Sequence, residues 1–438
     1  MNALRSTFVA GVLIGLFVAP LTWAGPNSSA LAVTIGSPGA VVADIEGNVF
    51  FSSPNVIFKL DTSGVLTQIA GGWTAGYAGD GGPAAQALLG IPFQYPELIQ
   101  DPIDYSELVG ALAVDSVGSI YIADAYNNRI RKIDVNGTIS TTAGTGPPGW
   151  AAGFTANSPL HFPQGVAADT TGNLFISDGT GLLELTTNGV IHPVTANNCG
   201  DHPAPGLCAP EQIAIDLHGA VYVADGYCDV RKVGSDGTVT EVAGDPRPSQ
   251  GSANWTCGYS GDGGPATTAA LSYPYGVAVD NAYLYIADTY NSCIRRVDAN
   301  GVITTVAGMC QAPGYSGDGG PARAAKLNLP HGVAVDAAGN LYIADTANNR
   351  LRKVTPDGTI STVAGNGSSA PVLADQLLYS APAPVSSPPI SSTPVASSPV
   401  APASGGGGAM GLAEIGALLT LAIARCLGSA ADSRSHRR

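Results

Sequence analysis

The sequence predicts an all-β protein, a six-bladed β-propeller of four-stranded antiparallel blades, and three observations carry this. One phrase recurs along the chain, its clearest copy running from Pro330 to Gly365 as PHGVAVDAAGNLYIADTANNRLRKVTPDGTISTVAG. Its copies register on the Asp that closes the GVAVD segment, at Asp44, Asp115, Asp169, Asp216, Asp280 and Asp336, about 58 residues apart on average. Each copy breaks into short β-branched or aromatic runs separated by Gly, Asn and Asp turns, the pattern of strands rather than of a helix. A repeated unit of four short strands, stacked six times, closes into a radial array of blades.

Taken in order, the four strands of a copy are GVAVD, NLYIAD, RLRKVT and TISTVAG. The excess over this minimal unit lies in loops between copies. PxGVAVD, LYIADTxNNR, RKV, DG and ISTVAG together resemble the NHL repeat, most closely around Asp115, Asp280 and Asp336, over residues 38–367. The resemblance implies a six-bladed propeller. It implies little about chemistry, because such propellers serve as binding platforms as well as hydrolases and lyases.

The propeller is expected over residues 25–370, between appendages. Residues 1–24 carry Arg5, an apolar run from Phe8 to Val18 and a Thr22-Trp23-Ala24 end, which reads as a secretory signal peptide. The apolar run is short of the ~20 residues of a membrane span. Residues 371–408 are a disordered Pro/Ser/Ala linker ending in Gly405–Gly408. Residues 409–438 form an apolar tail interrupted by Glu414 and closed by Arg434, Arg437 and Arg438. That order resembles the GlyGly type of sorting tail, cut by a rhomboid-like protease in Gram-negative bacteria; a plain membrane anchor is the alternative. The expected location is therefore exported: periplasm, outer surface or secreted, with the membrane touched only through the tail.

Net charge is −14. Setting aside five basic and two acidic residues in the terminal segments leaves 14 basic against 31 acidic, about −17, which argues against nucleic acid as a partner. The basic residues also repeat. Arg129, Arg131 and Lys132, then Arg231 and Lys232, Arg295 and Arg296, and Arg350, Arg352 and Lys353 all start a third strand. They read as structural partners of Asp124, Asp225, Asp288 and Asp345.

Of seven cysteines, Cys426 lies in the tail and six fall in the third to sixth copies. In an oxidising compartment these read as disulfides. Antiparallel topology sends the loop between second and third strands, and the loop to the next blade, to the same end. All six cysteines therefore share one face. Local pairing gives Cys199–Cys208, Cys228–Cys257 and Cys293–Cys310, one of fifteen connectivities that six cysteines allow. Without CxxC spacing, no metal site is expected.

The same face carries a Gly-rich phrase at 76–84, 258–266 and 314–322, containing Asp80, Tyr259, Asp262, Tyr315 and Asp318. It has no Lys or Ser/Thr at P-loop positions and reads as an inter-blade staple whose Pro opens a helical turn. Its Asp residues read as caps of that turn, with Ca²⁺ coordination as the alternative; no other cofactor is expected.

A site in the channel would draw on the residue five before each register Asp: Gly39, Gly110, Gln164, Glu211, Tyr275 and His331. Gln164, Glu211, Tyr275 and His331 can form a polar arc at the channel mouth. Glu211 and His331 become an acid–base pair if they converge. Metal-dependent six-bladed lyases and lactonases place several His or acidic ligands there; here His161 and His218 are off the ring position. No GxSxG, HExxH or CxxCH is present. The expected function is a binding platform for protein, peptide or glycan at the envelope, with a channel-centred hydrolase or lyase and a structural surface module as alternatives.

Overall fold

The computed structural model describes residues 29–91, 110–147, 155–196, 206–226, 228–244 and 257–369. The signal-like segment, the linker and the tail lie outside them. Among the described residues are six four-stranded antiparallel sheets, each built from four strands consecutive in sequence. They span residues 41–71, 112–143, 165–196, 210–244, 274–307 and 330–364 and are called blades one to six. The first strand of each blade touches the first strands of both neighbours, and blade one touches blade six, so the ring is closed.

The register Asp earns its place at the turn after the first strand. In blade two, Asp115 Oδ1 accepts the backbone N–H groups of Val117 and Ser119 at 3.1 and 2.8 Å, while Gly118 takes a φ of +88° that other residues avoid. Asp44, Asp169, Asp216 and Asp336 make the same pair of bonds. The Asp is thus a turn device at the end of the channel opposite the cysteine-bearing loops.

Blades do not pack directly face to face alone; a short segment is wedged into each junction. Between blades five and six, Ala322, Ala325 and Leu327 join Ile294 and Ala307 of one blade and Ile343 and Ile360 of the next. Ala266, Ala269 and Leu271 do this between blades four and five, and Ala84, Ala87 and Leu89 between one and two. One aliphatic side chain per junction is fully buried: Ile35, Leu89, Leu160, Leu207, Leu271 and Leu327. Each burial stabilises the ring by roughly 1.5–3 kcal/mol.

Ring closure uses this same device. Leu31–Ile35 reads as a strand in sequence, but a 3₁₀ turn over Ala30–Ala32 takes up its start, followed by an extended stretch from Val33. Ala30 and Ile35 pack in the cluster joining blades six and one. The Gly365 and Asn366 N–H groups donate to the Ala30 and Val33 carbonyls at 3.1 Å each. Blade six already owns four strands, so it needs no strand from the N-terminus. The ring is completed by a sixth wedge.

Candidate functional site

The cysteine-bearing face, called here the loop face, is organised by a buried arginine in blades two, five and six. Arg131, Arg295 and Arg352 are fully buried. Each reaches the Asp ending the second strand of its own blade, Asp124, Asp288 or Asp345, at 3.2 Å. Each also reaches the Asp of the preceding Gly-rich phrase, Asp80, Asp262 or Asp318, at 2.6, 2.9 and 2.7 Å. The second-strand Asp in turn accepts a backbone N–H just past the wedge aliphatic: Gly90 to Asp124, Ser272 to Asp288, Asn328 to Asp345. One guanidinium thereby ties the wedge, the blade and the Gly-rich loop together.

Asp80, Asp262 and Asp318 do not cap the 3₁₀ turns. The capping positions are Pro83, Pro265 and Pro321, and none makes a side-chain cap. The aspartates instead accept a fourth-strand hydroxyl, Thr141 or Thr362 at 2.7 Å. In blade five the Thr305 backbone N–H does this for Asp262 at 3.1 Å. Tyr77, Tyr259 and Tyr315 add their hydroxyls at 2.9, 3.2 and 2.8 Å, and their rings lie under the same arginines. Capping fails because the Asp side chain finds a stronger, charged donor across the junction. A Ca²⁺ ion there would have to displace these donors.

Electrostatics differ at the two ends of each guanidinium. Burial pushes the carboxyls of Asp288 and Asp345 up to about 6, against the pull of Asn291 or Asn348, a backbone N–H and the arginine. Desolvation also raises Asp80, Asp262 and Asp318, but hydrogen bonds from Thr and, in two of them, Tyr, with the arginine charge, hold them below the ordinary range.

The remaining blades vary this scheme. Blade one has Ser53 and Phe58 at the Asp and Arg positions, removing both charges together. Blade three keeps Asp178 but has Leu183 in place of the arginine; burial raises the Asp178 carboxyl, with Thr180 and the His161 N–H opposing. Blade four has no Gly-rich phrase and supplies its second carboxylate from the third strand. Arg231 lies 2.9 Å from Asp229 and 3.4 Å from Asp225. Burial and the charge of Asp225 push Asp229 up to about 7.

Two disulfides sit on this face, Cys228–Cys257 and Cys293–Cys310, with Cα separations of 5.3 and 5.0 Å. Cys208 is disulfide-bonded, and Cys199 lies outside the described residues.

At the channel mouth the structure brings Gln164 to Glu211 and Tyr275 to His331. Gln164, its amide turned to donate, bonds to the Glu211 carboxylate. Tyr275 stacks on His331 with ring centres 5.0 Å apart. His331 is fully buried, its Nδ1 lies 2.9 Å from the Leu329 carbonyl, and its Nε2 has no hydrogen-bond partner. Neither ring nitrogen reaches Glu211. Burial pulls the His331 imidazole down to about 4, so it is neutral at pH 7.

Sequence reading paired each arginine with its second-strand Asp but missed the link to the Gly-rich Asp. A signal for it exists. The phrase containing Asp80, Asp262 or Asp318 precedes only blades two, five and six, whose third strands carry Arg131, Arg295 and Arg352.

Comparison with known proteins agrees with this architecture. A family model described as the Teneurin NHL domain matches residues 253–314 and 311–378. Human Teneurin-4 is 29% identical over 285 residues, covering 55% of this chain and 10% of that protein. Teneurin-m of Drosophila melanogaster is 27% identical over 224 residues, covering 47% of this chain and 7% of that protein. The chain thus spans about a tenth of the length of the curated relatives it matches. A Bacteroides thetaiotaomicron protein of unknown function superposes with a TM-score of 0.53 at 16% identity, covering 74% of this chain and 71% of that one. An auxiliary nutrient binding protein from the same organism gives 0.50 at 15%, covering 75% and 70%. At such identities these two show the fold alone.

Proposed function

We propose that this NHL-type propeller is an exported protein-binding module, held at the cell envelope by its tail, whose loop face engages the partner. The observation that carries the reading is the construction of that face. Its inter-blade loops are pinned in three blades by a buried arginine paired with a partly exposed Asp and in two by disulfides, so a large surface is pre-organised. Disulfides persist in oxidising compartments, which supports export together with the signal-like first 24 residues. The separation of His331 from Glu211 favours binding over acid–base chemistry in the channel mouth. Peptide and glycan ligands would use the same face.

Site-specific photocrosslinking in cells tests this without disturbing the buried network. A photoreactive residue at Met309, 45% exposed on the loop face, is compared with one at Leu217, 71% exposed on the opposite face. The expected result is one recurrent protein adduct from position 309 and none from 217. Adducts from 217 alone, or from neither position, would overturn the assignment of the face.

A further inference from the structure

In blade four the loop face buries two carboxylates against one guanidinium. Asp225 and Asp229 stand directly opposite each other on the second and third strands. At the same place Asp124 faces Arg129, Asp288 faces Cys293 and Asp345 faces Arg350. Like charges set directly across a hairpin repel and destabilise it. Both Asp Oδ2 atoms lie on one Arg231 nitrogen, Nε, at 3.4 and 2.9 Å, and the side chains of Asp225, Asp229 and Arg231 are only 1%, 3% and 6% exposed. The second carboxylate on Arg131, Arg295 or Arg352 is 34%, 28% or 36% exposed, so water shares its charge.

Blade four also lacks a donor that those blades have. Asn127, Asn291 and Asn348 each give an amide N–H to the second-strand Asp. The blade-four turn, Gly226-Tyr227-Cys228, is one residue shorter and holds no Asn. Among the described residues, Arg231 is the only cation that touches either carboxylate. Of the groups on the surrounding strands, Glu241 stands opposite Arg231, Glu211 bonds to Gln164, Tyr275 stacks on His331, and Lys232 reaches away to Asp216. With both aspartates ionised, a net negative charge would be buried without compensation. A proton on one of them removes that charge and replaces the missing donor.

The cluster also holds the wedge of its blade. Asp225 accepts the Cys208 and Ala209 N–H groups at 2.9 and 2.5 Å, and Arg231 donates to the Gly206 carbonyl. We propose that Asp225 and Asp229 hold one proton between them, and that its loss to solvent unlatches residues 206–209 from blade four, so that this side of the loop face tightens in acid and loosens in alkali. The latch does not depend on what the loop face binds. Asp229, raised to about 7 from the ordinary 3.8, takes up a proton more readily in the closed form than in the open form between those values. Closure is therefore strongest below the ordinary value and is lost as pH rises through about 7.

The test follows amide hydrogen exchange of Cys208 and Ala209 in the full chain at about pH 5.5 and about pH 8, as protection relative to the free-peptide rate at each pH. Protection is expected to fall about tenfold or more from the lower to the higher pH. Asp229→Asn fixes the neutral form and should stay protected at both, changing by less than about threefold. Asp225→Asn also leaves one carboxylate per guanidinium and should flatten the profile in the same way, which serves if the first variant folds poorly. A flat or rising wild-type profile, or a wild-type fall that either variant retains, would overturn the proposal.

Discussion

Cys293, bonded to Cys310, occupies the strand position that Arg129 holds in blade two and Arg350 in blade six. Arg129 donates to the Asn127 and Thr145 carbonyls at 3.0 and 2.7 Å, and Arg350 to those of Asn348 and Asn366 at 2.9 and 3.2 Å. A side chain at Gly146 or Gly367, the counterparts of Cys310, would collide with the guanidinium. One mechanical task, holding the end of the fourth strand to the start of the third, is therefore done by an arginine clamp in two blades and a covalent bond in another.

The two clamps should be interchangeable. Cys293→Ser with Cys310→Ser is expected to lose about 3 kcal/mol, the chain-entropy contribution of a short closed loop. Cys293→Arg with Cys310→Gly should recover about 1–2 kcal/mol of that through charge-assisted hydrogen bonds, and should be insensitive to reductant at this blade. Urea unfolding of the three proteins gives the comparison. No recovery in the arginine variant would show the positions to be inequivalent.

Buried and exposed ends of the Arg352 pair should differ in cost. Arg352→Met leaves Asp345 buried without its cation and is expected to destabilise by about 3–5 kcal/mol. Asp318, whose side chain is 36% exposed, contributes less, and Asp318→Asn should cost about 1 kcal/mol. Equal losses from the two substitutions in chemical denaturation would contradict this ordering.

His331 predicts a pH dependence. Its folded value of about 4 lies below the ordinary 6.5, so between these values the unfolded chain binds the proton more tightly. Stability from this group is fully present above pH 6.5 and is lost as pH falls toward 4, by about 3 kcal/mol in all. His331→Phe, which keeps a ring against Tyr275, should flatten the stability profile over that window. An unchanged slope would show that His331 does not titrate as its burial requires.

Ring closure through the N-terminal wedge makes Ile35 equivalent to Leu327. Ile35→Ala and Leu327→Ala should each cost about 2–5 kcal/mol and agree within about 1 kcal/mol. A chain beginning after residue 36 should melt earlier than either. If Ile35→Ala were neutral in thermal unfolding, the sixth wedge would be dispensable.

Much of the fold was legible because its signals are local. Strand alternation, the Asp at Asp115 and its equivalents, and the DG turns each act within five residues or so. The candidate site was legible only as a set of positions. Gln164, Glu211, Tyr275 and His331 share one register, yet nothing in the spacing says that Gln164 turns to Glu211 and His331 to Tyr275.

By itself, the sequence determined the number of blades, the order of strands and the face on which the cysteines lie, since these follow from a short-range pattern repeated six times. Tertiary structure decided the rest: that Asp80 serves Arg131 from 51 residues away instead of capping its own turn, that residues 30–35 close the ring as a wedge, and that an arginine and a disulfide do the same work. Those outcomes depend on which groups meet across a blade junction, where burial makes a charged donor or a covalent bond outweigh any local alternative.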